Sequence, residues 1–134
     1  MDVVRGEELP VRTPDEVVLI RQAARKWALE VGFSIVDQTK IVTAASELAR
    51  NAVIYGGGGV VSIHMVSNGG KKGIRMIFAD KGPGIPDIAL ALKDGYTTGN
   101  GLGLGLSGSK RLMNELEIDS KPGQGTTITT IKWK

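Results

Sequence analysis

The chain has no cysteine and a single histidine, His64, among its 134 residues. The missing cysteines exclude a disulfide framework, a thiolate metal site and a cysteine nucleophile. One histidine leaves a histidine-paired metal site or a serine–histidine triad with almost nothing to draw on. Aromatic residues are scarce, with two Trp, two Tyr and two Phe, too few for a base-stacking platform on single-stranded nucleic acid. No apolar run approaches the roughly 20 residues that span a bilayer. The opening MDVVRGEELPVRTPDE holds no apolar signal core, so a cytoplasmic protein with no membrane partner is expected. Neither sign of charge dominates: 17 Lys and Arg against 14 Asp and Glu leave a net +3. The cations are scattered, which argues against nucleic acid and suits a small anionic ligand.

What is present is enough for a packed core. Hydrophobic residues make up 41% of the chain, and the length predicts one domain over residues 1–134. DVVRGEEL reads as a first strand. TPDEVVLIRQAARKWALEVG predicts a helix with Thr13 as N-cap, Pro14 in the first turn and Gly32 as stop. Val17, Ile20, Ala24, Trp27 and Val31 recur at helical spacing and are assigned to the core. SIVDQTKIVTAASELARNAVIYGGGG predicts a second helix, with Ile41, Ala45, Leu48 and Ala52 on its inner face. VVSIHMVS and GIRMIFAD predict two strands joined through NGGKK as a hairpin, with His64 an ordinary strand residue. DIALALKDG reads as a short helix, YTTGNGLGLG as a loop, LSGSKRLMNEL as a helix and the remainder as a closing hairpin. The expected class is α/β, a two-layer sandwich of a mixed, mainly antiparallel sheet with helices on one face.

The segment GNGLGLGLSGSKRL, from Gly99 to Leu112, needs explaining, because glycine is the costliest residue to order. Gly103, Gly105 and Gly108 match G-x-G-x-x-G, but the dinucleotide fold needs that pattern directly after a strand within a parallel βαβ unit. No Walker loop occurs, and neither the lysine strand nor the H-R-D loop of a conventional protein kinase is present. A glycine run ahead of a helix exposes backbone N–H groups that attract phosphate oxygens. Leu102, Leu104 and Leu106 would anchor it to the core.

Three further stretches carry chemistry. In ELARN, Glu47 and Asn51 stand one helical turn apart and share a face. A carboxylate there can take a proton and an amide oxygen can hold Mg²⁺, although such pairs are also common on plain surfaces. In DKGPG, Asp80 ends an apolar strand and can accept from an exocyclic amine, while Gly82 and Gly84 allow close approach; a turn has the same composition. In GQGTT, Thr126 opens the last strand.

In this order the stretches resemble the N, G1, G2 and G3 boxes of the GHKL, or Bergerat, ATP-binding fold, shared by histidine kinase catalytic domains, gyrase, chaperone and mismatch-repair ATPases and small anti-sigma-factor serine kinases. The resemblance spans Glu47 to Thr126. It implies ATP and Mg²⁺ as cofactors. Glu47 would be the general base, and Asn51 the Mg²⁺ ligand. Asp80, with Thr126 and a water, would take the adenine amine, and Gly82 and Gly84 would line the adenine pocket. Gly101, Gly103 and Gly105 would wrap the phosphates under a YTTGN lid. A stand-alone domain of this size resembles the serine/threonine kinases of bacterial partner switching. Their switch-kinase branch phosphorylates STAS-domain antagonist or scaffold proteins of a stressosome and, once released, activates a PP2C-type phosphatase. The alternatives are an anti-sigma kinase that binds a sigma factor directly, or a nucleotide-dependent binding module without catalysis. Anti-sigma kinases commonly have His where this chain has Tyr55, and often a basic lid residue that TTGN does not supply. Lys81, Lys110 and Arg111 are the candidate substitutes.

Overall fold

The turn signal between the two β-branched runs does what its chemistry requires. In a computed structural model that describes residues 1–85 and 106–134, Gly69 and Gly70 both take positive φ, 57° and 87°. Such a two-residue turn matches the twist of its flanking strands. It joins β2 (Gly59–Asn68) to β3 (Lys71–Asp80), and the pair runs in register from Asn68 opposite Lys71 to Gly59 opposite Asp80. β1 (Asp2–Val11) adds to the free side of β2 with a bulge between Val3 and Arg5. β5 (Gly125–Trp133) pairs with β3, and β4 (Glu115–Lys121) forms the far edge. The strand order is β1-β2-β3-β5-β4. The four described pairings are all antiparallel, the main character expected of the sheet.

Alternation decides which face is covered. Val61 and Ile63 of β2 stand opposite Phe78 and Met76 of β3, and all four are buried. A one-residue slip would turn this entire set to the other face. The covering layer is α1 (Pro14–Val31) and α2 (Ile35–Ile54). The expected α1 stripe, Val17, Ile20, Ala24, Trp27 and Val31, is buried, and so are Ile41, Ala45, Leu48 and Ala52 of α2. Thr13 is the N-cap of α1 without a side-chain cap bond, and Gly32 ends the helix at φ 98°. Ser34 caps α2 by accepting the Asp37 N–H at 3.2 Å. Among the described residues no helix is long and apolar enough to cross a membrane.

The helix expected after the glycine segment is shorter than its composition suggests. α3 covers Leu106–Leu112, and the chain has turned into β4 by Glu115. Asn114 is drawn to the sheet instead: its N–H donates to the Ile131 carbonyl at 3.0 Å and its Oδ1 accepts the Trp133 N–H at 2.7 Å. The buried Lys132 donates from Nζ to the Leu112 carbonyl at 2.8 Å, satisfying one of the orphan acceptors at the helix end. Leu106 is buried as expected. The expected DIALALKDG helix, Leu102 and Leu104 lie outside the described residues.

On the face away from the helices, His64 stands opposite Arg75, with Arg75 Nη2 3.3 Å from His64 Nδ1. Burial lowers the His64 pKa, the Arg75 charge lowers it further, and Glu8 opposes both. The unfolded chain therefore takes this proton first, near the ordinary histidine value of about 6.5. The contribution is intact above that pH and is lost as pH falls towards the depressed folded value. The urea midpoint should fall between pH 7.5 and pH 5.5, and less steeply in His64→Gln; equal slopes would remove His64 from the pH dependence.

Candidate functional site

A cavity of about 250 Å³ opens where the C-terminal half of α2 crosses the ends of β3 and β5. Its walls are Leu48, Asn51, Ala52 and Tyr55 from α2 and its C-cap, Phe78 and Asp80 from β3, and Thr126 and Ile128 from β5. Pro83, Gly84, Ile85 and Leu106 complete its lining. Apolar walls with a few convergent polar groups are the usual build of a small-molecule site. The sequence-selected Asn51, Asp80, Gly84 and Thr126 thus meet at one cavity, although 75 residues of sequence separate the first from the last.

Sheet register brings the polar groups together. Asp80 is the last residue of β3 and pairs with Thr126 of β5, which pairs in turn with Ser120 of β4. Asp80 Oδ1 accepts the Gly82 N–H at 2.9 Å, a local turn that fixes the carboxylate. Asn51 sits in the last turn of α2, and its carbonyl accepts the Tyr55 N–H at 2.9 Å.

The glycines around Asp80 serve close approach. A Cβ at Gly56 would lie 2.6 Å from Asp80 Cβ, and one at Gly82 would lie 2.6 Å from Gly56 Cα and 3.0 Å from the Tyr55 oxygen. Gly82 therefore packs the loop after β3 against the end of α2, and it is not among the residues lining the cavity. Gly84 does line it, at φ 82°, where a side chain would strike the Lys121 carbonyl.

Glu47 lies one turn before Asn51 on α2, outside the cavity wall, with its side chain 31% exposed. Its Oε1 accepts from Arg50 Nη1 at 2.8 Å, and Arg50 Nη2 reaches Ser46 Oγ at 3.3 Å. Gly101, Gly103, Gly105 and the YTTGN stretch lie outside the described residues. Lys110 and Arg111 fall in the last turn of α3.

Arg50 and Ser120 escape the reading of the sequence, and Gly56 enters it only as the start of the Gly56–Gly59 run that stops α2. Arg50 was open to detection through its i, i+3 spacing from Glu47. Gly56 and Ser120 owe their places to tertiary register, which leaves no local signal. Replacing Gly82 with Ala should lower the melting temperature, because the new Cβ meets backbone. Gly108→Ala in α3 meets nothing within 4 Å and should stabilise by roughly 0.5–1 kcal/mol. Thermal melts check both.

Comparison with known proteins agrees with this architecture. Residues 36–134 match the family model described as "Histidine kinase-, DNA gyrase B-, and HSP90-like ATPase". The chain is 50% identical over 123 residues to the serine/threonine-protein kinase RsbT of Bacillus subtilis (strain 168), covering 92% of each chain. It is 32% identical over 119 residues to the anti-sigma F factor of Thermoanaerobacter sp. (strain X514), covering 84% of this chain and 82% of the relative. The fold resembles a crystal structure of the RsbU and RsbW domains of a Mycobacterium tuberculosis protein, with TM-score 0.66 and 23% identity over 96% of this chain. The chain spans 32% of that larger structure. A mycobacterial sensor histidine kinase, MprB, shares the fold with TM-score 0.57 and 18% identity, covering 96% of this chain and 97% of the other. The chain belongs to the histidine kinase-, gyrase B- and HSP90-like ATPases, in their group of bacterial serine/threonine-protein kinases and anti-sigma factors.

Proposed function

We propose that this chain is a single ATP-binding domain, residues 1–134, that transfers the γ-phosphoryl group of ATP to a serine or threonine of a STAS-domain antagonist or scaffold protein. Released from that partner, it would activate a PP2C-type phosphatase in a cytoplasmic stress-signalling switch. The observation that carries the reading is the one cavity in which Asn51, Asp80, Gly84 and Thr126 converge, with the half-exposed Glu47 one helical turn beyond it.

The roles follow from the chemistry of each group. Asp80 accepts the adenine amine, beside Thr126, while Phe78 and Ile85 give the purine apolar contact. Gly101, Gly103 and Gly105 supply backbone N–H groups to the phosphates. Asn51 offers a hard amide oxygen of the kind that suits Mg²⁺. Among the described residues no group of three or more His, Cys, Asp or Glu could hold a metal ion. When bound, Mg²⁺ would supply charge neutralisation at the phosphates. Glu47 stands where a protein hydroxyl can reach it. As the new oxygen–phosphorus bond forms and the bond from the γ-phosphorus to the β,γ-bridging oxygen breaks, Glu47 accepts the hydroxyl proton and ADP departs. Phosphate adds about −1.5 to −2 charge to the partner surface, which would end the complex and free the kinase for its next partner.

A second reading, an anti-sigma kinase that holds a sigma factor directly, has support in the relatives named anti-sigma F factor. Co-purification with a sigma factor would favour it. A third, a binding module without catalysis, is disfavoured by the pairing of Glu47 and Asn51 on one face of α2.

Labelled ATP and candidate STAS-domain proteins provide the test. Glu47→Ala should cut phosphoryl transfer by about 10²-fold or more with nucleotide affinity within about twofold. Asp80→Asn should weaken ATP binding by about tenfold. Partner phosphorylation that survives Glu47→Ala would remove Glu47 as the base.

A further inference from the structure

One hydroxyl behind the cavity controls the direction of another inside it. Ser120 Oγ receives the Ile85 N–H at 2.8 Å, lies 2.8 Å from Thr126 Oγ1 and lies 3.2 Å from the Gly125 carbonyl oxygen. A serine hydroxyl has one proton and two lone pairs, and a carbonyl only accepts. One arrangement turns all three contacts into hydrogen bonds. Ser120 donates to Gly125 O, and receives from both the Ile85 N–H and the Thr126 O–H. If Ser120 donated to Thr126 instead, the Gly125 contact would be lost. With its proton committed to Ser120, Thr126 turns only lone pairs toward the cavity it lines. Asp80, its register neighbour, presents carboxylate oxygens, with Oδ1 already accepting from the Gly82 N–H. The polar edge formed by Asp80 and Thr126 is therefore made of acceptors.

We infer that Ser120 is a positioning residue that makes this cavity select a purine with a 6-amino group over one with a 6-oxo group. The inference rests on Asp80 and Thr126 being the base-binding residues. An amine brings two N–H donors to an acceptor edge. A 6-oxo group would set lone pairs against lone pairs, and a partly buried polar mismatch of that kind is costly. Ser120 also ties Ile85, a cavity wall residue, to β4. A single side chain thus fixes both the edge that reads the base and part of the wall that packs on it.

Calorimetric titration of the whole chain with ATP and with inosine triphosphate tests this. In Ser120→Ala the ratio of ATP to inosine triphosphate affinity should fall by about five- to tenfold, chiefly through weaker ATP binding. Ser120→Thr, which keeps the hydroxyl, should hold the ratio near that of the unsubstituted chain. An unchanged ratio in Ser120→Ala, including equal weakening of both nucleotides, overturns the inference. Should Ser120→Ala fail to fold by circular dichroism, Ser120→Cys, whose thiol is only a weak donor and acceptor, is read instead: the ratio should fall, and an unchanged ratio again overturns the proposal. Asp80→Asn in the same series separates the two levels. If it leaves ATP affinity intact, the assignment of the base site itself falls, whatever Ser120 does.

Discussion

The antiparallel register of β3 against β5 is the constraint on which the site depends. It sets Asp80 opposite Thr126 at the ends of two central strands, beside the last turns of α2. Backbone hydrogen bonds fix that pairing, and alternation enforces it: Phe78 and Met76 must stay on the helix side with Val61 and Ile63. A shift by one residue would expose the core set and carry Asp80 to the opposite face. Core packing and site assembly are therefore consequences of the same register.

Close backbone approach then shapes the site. Gly56 and Gly82 let the end of α2 touch the loop that follows β3, with the Asp80 side chain packed against Gly56. The helix that carries Asn51 and the strand that carries Asp80 are brought within reach of a single small molecule, and apolar residues from both layers fill the remaining wall. Glu47 sits outside this wall, with Arg50 on one of its oxygens. Under the proposed function, nucleotide recognition and proton acceptance would fall to different parts of α2, and a partner protein would approach the second without entering the first.

Much of this is legible in the sequence, for physical reasons that differ between elements. α1 and α2 announce themselves through apolar spacing and caps, and the β2–β3 hairpin through its two glycines. Strand ends extend beyond the β-branched runs because pairing continues through Asn68, Lys71 and Lys72, whose side chains carry no strand signal. α3 stops early because Asn114 finds partners in β5, a tertiary competition that local propensity does not contain. Asp80 and Thr126 carry meaning in the sequence only as parts of an ordered set of short motifs. Ser120 carries none until the register exists, and Gly56, legible as part of a helix stop, gains its place against Asp80 only from the loop approach.

The most direct test of the central claim is a crystal structure of the chain with ADP bound. The account predicts the purine in the cavity between α2 and the ends of β3 and β5, its amine within hydrogen-bond distance of Asp80 and its edge beside Thr126. A nucleotide bound elsewhere, or a purine whose amine turns away from Asp80, would contradict it.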